Sequence, residues 1–279
     1  MRKIKIFMCC HNSYEITPPL CVPIQCGAAI NKRIDNILHD DEGENISRLN
    51  KEYCELTAHY YVWKNIESDF YGFCHYRRFF AAERSTKRPY LAKGTVSSPS
   101  AAAVLCGEKE LYRLADEYDI ITTRSEDMGI TAKEHYCTSK HHFSQDLQLF
   151  VEILTKRAPQ MAEAAEEYLN QSRQFFCNMF IMSKECFDEY CGILFPVLLE
   201  FDKHKKFHGD FQSDRTDGYL GEIFTGIFIT FSRKKGRRIK ELPRLDICCT
   251  GKKRFLYSLL PPESKIRFLA KRFVKRIRG

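Results

Sequence analysis

Three short polar runs each follow an apolar block in this chain. His11-Asn12-Ser13-Tyr14 follows "IKIFMCC", His75-Tyr76-Arg77-Arg78 follows "DFYGFC", and Thr122-Thr123-Arg124 follows "YDII". Apolar blocks of this length read as buried strands. In an open α/β sheet, ligands bind outside the carboxyl ends of the strands, so the three runs can line one crevice. Arginine presents a planar fork of donors that suits phosphate oxygens, and histidine donates to the same group. A ligand bearing a diphosphate fits that chemistry. The structural alternative is that Arg77 and Arg78 are solvated, or paired with helix carboxylates such as Glu52.

The familiar phosphate and nucleophile motifs are missing. There is no G-x-x-x-x-G-K-[ST], no G-x-G-x-x-G and no G-x-S-x-G. Nor is there a D-x-D, the pair with which many sugar-nucleotide enzymes hold a divalent ion. Asp40-Asp41 offers oxygen ligands, but "DDEG" also reads as a capped turn. A proton acceptor for a hydroxyl would be a carboxylate or histidine within hydrogen-bond reach. The candidates are Asp146 in "HHFSQDL" and Glu222 in "GYLGEIF", with His142 beside the first. Each has a plainer reading: Glu222 as the buried partner of an arginine, Asp146 as a first-turn residue favoured by the helix dipole. His135, His141 and His142 can contact an acceptor or a phosphate, but lack carboxylate or cysteine partners at helical spacing for a metal.

The elements that must position these residues are legible in outline. Residues 3–10 form a first strand, Leu49 to Asn65 an amphipathic helix with apolar residues at three- and four-residue steps, and "DFYGFCHYRRFF" a second buried strand. This is the alternation of a βαβ sheet. Residues 81–107 read as loop, "KGTVSSPSAAA" especially. A helix from Glu108 to Tyr118 precedes the "YDIITT" strand, and helices over 124–175 suit a small acceptor-side subdomain. "QFFCNMFIMS" reads as a strand and "KECFDEYCGILFPVLLEFDKH" as a long helix. A polar loop with His204 and His208, a buried helix over "DGYLGEIFTGIFITFSRKKG" and a final strand region complete the body.

Composition excludes several classes. Thirteen cysteines occur without a C-x-x-C pair, which disfavours a zinc knuckle and fits a reducing cytosol. The opening apolar run is interrupted by Lys5 and lacks a cleavage site, so it reads as strand, not signal. No segment approaches the roughly 18 apolar residues of a membrane span. The net charge is +8, yet the tail from Gly251 carries ten Lys or Arg against one Glu. The preceding residues are close to neutral, which argues against nucleic acid as a partner. In "SKIRFLAKRFVKRIRG", Ile266, Leu269, Phe273 and Ile277 share one helical face among basic residues. That pattern suits an anionic bilayer surface, with a solubilising tail as the alternative.

"NISRLNKEYCELTAHYYVWKN" followed by "DFYGFCHYRRFF" resembles the paired signature of the bacterial family called domain of unknown function 4422. The likeness extends through "HNSY", "PIQCGAA", "HDDEGENIS", "EHYCTSKHHFSQDL", "FCNMFIMSKECFDEYCGILFPVL" and "DGYLGEIFTGIFI", about residues 3 to 245. It implies an α/β fold of GT-A-like (Rossmann-like) type: a mixed sheet flanked by helices over residues 1–250, followed by the basic amphipathic tail 251–279. It also implies a glycosyltransferase of capsular or exopolysaccharide synthesis. Such an enzyme moves a hexose, galactofuranose among the candidates, from a UDP-sugar to a lipid-linked oligosaccharide on the cytoplasmic face of the plasma membrane, held peripherally through 262–279. The donor-binding set it implies is His11, Asn12, Tyr14, Asp40, Asn45, Ser47, Asn50, Glu55, His75, Tyr76, Arg77, Arg78 and Asn178. The His75–Arg78 run stands where a D-x-D would lie, so cationic side chains can take over from a metal, while Mg²⁺ or Mn²⁺ stays open as cofactor. The alternative from another class is a non-catalytic sugar-nucleotide-binding or scaffold protein of the polysaccharide machinery.

Overall fold

The computed structural model describes residues 2–14, 17–85, 89–92, 103–206 and 215–248, and in the tail residues 252, 255, 257, 259 and 266. Its strands are β1 (Ile4–Cys10), β2 (Cys21–Gln25), β3 (Leu38–His39), β4 (Phe70–His75), β5 (Arg78–Phe80), β6 (Tyr90–Ala92), β7 (Ile120–Thr123), β8 (Glu126–Asp127), β9 (Arg173–Gln174), β10 (Phe180–Ser183), β11 (Ile239–Leu242) and β12 (Arg244–Cys248). The helices are α1 (Asn50–Tyr53), α2 (Leu56–Asn65), α3 (Glu108–Glu117), α4 (Ala132–Thr138), α5 (Ser144–Arg157), α6 (Ala162–Asn170), α7 (Lys184–His204) and α8 (Thr216–Lys234).

The main sheet has the order β11-β7-β10-β4-β1-β2-β3, with β5, β6 and β12 attached beside β4. Along that path β10 runs antiparallel to β4 and β7, while the β1–β2, β1–β4, β2–β3 and β7–β11 pairs are parallel. The carboxyl ends of β1, β2, β4 and β7 therefore meet the amino end of β10 along one edge. The result is a mixed α/β fold of GT-A-like type.

Both faces of this sheet are covered, which explains its near-continuous apolar strands. In β1, Phe7 and Cys9 enter one core cluster, while Ile4, Ile6, Met8 and Cys10 enter the other. The larger cluster receives α2 and α4–α8; the smaller receives Leu111, Leu114 and Ala115 of α3. The helices between residues 132 and 170 share the core of α7 and α8, so they form a layer of the main body without a core of their own. Gly226 of α8 allows this: a Cβ there would overlap the Tyr168 ring of α6.

Three elements depart from the sequence reading, each through one local conformation. The helix expected over Leu49–Asn65 is interrupted, because Cys54 adopts a positive φ of 52° between α1 and α2. The Asn50 amide caps the break by donating to the Cys54 carbonyl, 2.6 Å away. The "DFYGFCHYRRFF" block is a hairpin, not one strand: His75 of β4 pairs with Arg78 of β5 around Tyr76-Arg77. "QFFCNMFIMS" likewise divides, since Cys177 (φ 77°) and Asn178 (φ 45°) are both left-handed and part β9 from β10. The loop expected at 93–103, His208, and the tail over 262–279 lie outside the described residues, Ala103 and Ile266 excepted.

Candidate active site

The shared strand edge collects charged side chains from five elements. β4 ends in His75, β5 begins with Arg78, and β12 begins with Arg244. The break at Cys54 carries Glu55 into the crevice just ahead of α2, where its side chain is 8% exposed. Glu222 projects from α8 one turn after Tyr219.

The Cys177–Asn178 turn joins them. The Cys177 carbonyl accepts from His75 Nε2 at 2.8 Å, its N–H donates to Glu222 Oε1 at 3.0 Å, and Arg244 Nη1 donates to its Sγ at 2.9 Å. Asn178 Nδ2 donates to Glu55 Oε1 at 3.0 Å and to the Gly218 carbonyl at 3.3 Å, while its Oδ1 accepts from Thr225 at 3.1 Å. A carbonyl only accepts, so His75 carries its proton on Nε2, and Glu55 Oε1 stands 3.9 Å from the same nitrogen. Two successive non-glycine residues at positive φ are costly, about 1–3 kcal/mol each, and such strain collects at functional sites.

The electrostatics divide the two carboxylates. Burial opposes ionisation of Glu55, but the His75 charge, a backbone donor and the Asn178 amide outweigh it and hold Glu55 below its ordinary value. Burial and the Glu55 charge instead push Glu222 up to about 7, against the pull of the Cys177 amide, Arg78 and Arg244. A partly shielded carboxyl poised near neutrality suits general acid–base work. Burial lowers His75, with Glu55 opposing the shift and Arg78 adding to it.

The crevice thus unites six of the expected residues: His11, Glu55, His75, Arg78, Asn178 and Glu222. His11 is exposed after β1 yet feels the charges of Glu55, Arg215 and Asp40. Asn12 is exposed beside it, and Tyr14 packs half-buried on the smaller core cluster. Tyr76 and Arg77 form the hairpin turn, with the exposed Arg77 guanidinium 4.7 Å over the Tyr76 ring. Four other expected donor residues make scaffold contacts. Asp40 accepts from the Gly27 and Ala28 amides and from the Ser47 hydroxyl. Asn45 bonds the Asp41 and Gly43 carbonyls within its own loop. Asn50 packs against Gly27, whose φ of +69° and contact with that side chain leave no room for a Cβ. Asp146 is buried in the first turn of α5. His142 lies between Tyr136 and Tyr219, with ring centroids at 4.5 and 4.1 Å, and burial lowers it to about 4. It therefore belongs to the rim beyond Tyr219.

Arg244 and Arg215 are the site residues missed in the sequence. Arg244 is 3% exposed and pairs with Asp246 (3.3 Å) and Glu126 (3.4 Å). Its one signal is an arginine within the apolar run "LPRLDIC". Arg215, at the exposed start of α8, donates to Cys54 Sγ at 3.0 Å. It opens the "RTDG" stretch, as the residue capping that helix.

The family model described as "Domain of unknown function (DUF4422)" matches residues 5–234. The chain belongs to this family. Among solved structures it is similar to one titled WbbM bifunctional glycosyltransferase, apo structure, with a TM-score of 0.82 and 27% sequence identity. That match covers 88% of this chain and 45% of the WbbM chain, so the family member spans under half of its structural relative. Among curated proteins no sequence matches.

A divalent cation needs convergent oxygen ligands. In the crevice, Glu55 and Glu222 are engaged by Asn178 and Cys177, and the neighbouring charges of Arg78 and Arg244 are positive. This donor set does not fit a metal ion. Among the described residues, Glu52, Asp202 and Asp217 bring oxygens within 4.8 Å of one another, but the Lys205 ammonium bonds all three.

Behind the crevice, His59 of α2 is fully buried 3.8 Å from the Phe73 ring, and neither ring nitrogen has a hydrogen-bond partner. Burial lowers it from 6.5 to about 3. The unfolded chain therefore binds a proton that the folded chain refuses between those values, and stability falls as pH drops through that window. From pH 7 to pH 5 the loss through His59 is about 2 kcal/mol. Urea denaturation of His59→Leu is expected to show correspondingly less acid sensitivity; equal slopes for the two proteins would refute this.

Proposed function

We propose that this family member is a glycosyltransferase that moves a hexosyl group from a nucleoside-diphosphate sugar, a UDP-sugar foremost, to a hydroxyl of a lipid-linked oligosaccharide. The observation that carries the reading is the charge cluster at the strand edge: Arg78 beside His75, and a Glu222 carboxyl that feels the Arg78 charge and is poised near pH 7. In this scheme Glu222 takes the proton of the acceptor hydroxyl, whose oxygen bonds to the anomeric carbon. The bond from that carbon to the diphosphate breaks, and its electron pair leaves on the nucleoside diphosphate. Arg78, 42% exposed in its side chain, and the exposed Arg215 stabilise that charge. The similarity to a glycosyltransferase structure supports the class of reaction, and the non-metal donor set supports catalysis without a divalent ion.

A thermal-shift panel of UDP- and GDP-sugars tests the donor, since a ligand that binds only the folded state raises its apparent stability. One nucleotide sugar is expected to stabilise the protein selectively, and EDTA is expected to leave its transfer activity unchanged. No response to any donor would favour the scaffold alternative. Full loss in EDTA, restored by Mn²⁺, would overturn the metal-free scheme.

The tail from residue 251 is proposed to lie on an anionic bilayer. Its described residues are helical, with Leu259 and Ile266 68% and 69% exposed, and the Tyr257 ring meets Tyr90 at 5.8 Å. No helix among the described residues is long and apolar enough to cross a membrane. Removing 262–279 is expected to abolish sedimentation with phosphatidylglycerol vesicles; unchanged binding would refute the assignment.

A further inference from the structure

Glu55 was expected at the donor, yet its contacts run inward, to the same turn that holds Glu222. Consecutive residues provide the donors: the Cys177 N–H to Glu222 Oε1 and the Asn178 amide to Glu55 Oε1, each at 3.0 Å. The Gly218 carbonyl and Thr225, one turn either side of Glu222 on α8, grip the Asn178 side chain, so the spacing of the two carboxylates is set by one strained turn.

We propose that Glu55 is a positioning residue: a fixed negative charge, spaced by the Cys177–Asn178 turn, against which Glu222 acts as the base. This rests on the proposed transferase reaction. Like charges in a shared site favour protonation of one partner. The surroundings decide which: Glu55 accepts from the Asn178 amide at 3.0 Å with the His75 ring 3.9 Å away, while Glu222 accepts from one peptide N–H and faces Glu55. The groups facing Glu222 are Glu55 and Cys54 from the helix break, Arg78 from β5, Arg244 from β12, Tyr168 from α6 and Tyr219 from its own helix. Arg78 and Arg244 pull its proton affinity down, and Glu55 is the carboxylate that opposes them.

Glu55→Gln tests the pairing, because the glutamine oxygen still accepts from Asn178 while the charge is lost. The acid limb of the kcat/KM profile is expected to move down by about one pH unit, with a smaller shift in the same direction for Asn178→Gly, which keeps the left-handed backbone. An unmoved limb in Glu55→Gln would reduce Glu55 to a packing role. Carboxyl ¹³C NMR of glutamate-labelled protein, with Glu222→Gln for assignment, reads the same coupling without substrate. In the wild type, the Glu222 resonance is expected to show a second, lower inflection as Glu55 titrates, and a single inflection would overturn the pairing even if Glu55→Gln fails to fold. Coupling without transfer to any acceptor would sink the transferase reading alone; transfer without coupling would sink this proposal alone.

Discussion

Glu222→Gln is expected to lower kcat by about 10²- to 10⁴-fold, the usual range for losing a general base. The substitution is conservative in structure. A glutamine oxygen still accepts from the Cys177 N–H, and no charge is left unpaired. Donor affinity should therefore hold while the chemical step fails. The pH profile supplies the sign: wild-type kcat/KM should rise as Glu222 loses its proton, half-maximal near pH 7, and the variant should be flat there. Stability should move in the opposite direction. With its carboxyl raised from 4.5 to about 7, the folded wild type keeps a proton that the unfolded chain has released. Wild-type stability thus falls with rising pH across that window, by at most about 1.4 kcal/mol per unit, and Glu222→Gln should lack that slope. Full activity in the variant would remove Glu222 from the mechanism.

Arg78→Ala is expected to reduce kcat/KM by about 10²- to 10³-fold, the scale for removing one preorganised donor from developing charge. Arg78→Lys should recover part of it, since a point charge remains but the planar fork does not. Arg77→Ala should stay within a few-fold of wild type, because Arg77 lies exposed over the Tyr76 ring at the hairpin tip. Steady-state kinetics of the three variants on one donor would decide this. Equal damage from Arg77→Ala and Arg78→Ala would show that the hairpin does not sort the two cations.

The expectation of a GT-A-like sheet survives because its signals are local. Runs such as "IKIFMCC" have few alternatives to a strand buried on both faces, and period-three apolar spacing marks the helices whatever lies around them. The polar runs after β1 and β4 fall at one sheet edge for the same reason: chain order and strand direction already imply that their carboxyl ends lie together. Asp40, Ser47 and Asn50 mark the limit. Their types suit ligand binding but equally suit holding a turn, and only the fold shows their partners: the Gly27 and Ala28 amides for Asp40, Asp40 itself for Ser47, and the Cys54 carbonyl for Asn50.

By itself the sequence determined β1, the cores of β4, β7 and β10, the long helices α3, α7 and α8, the absence of a D-x-D and the pair of arginines after a core strand. Tertiary structure alone decided which side chains face one another. A left-handed Cys54 turns Glu55 into the crevice, a two-residue hairpin separates Arg78 from Arg77, and a left-handed Cys177–Asn178 turn joins His75 to Glu222. It also delivered Arg244 from a strand more than 160 residues beyond β4. The physical reason is one of range. Strand and helix patterns repeat every two or three to four residues, whereas these positive-φ turns are held by hydrogen bonds to distant elements and leave no periodic trace.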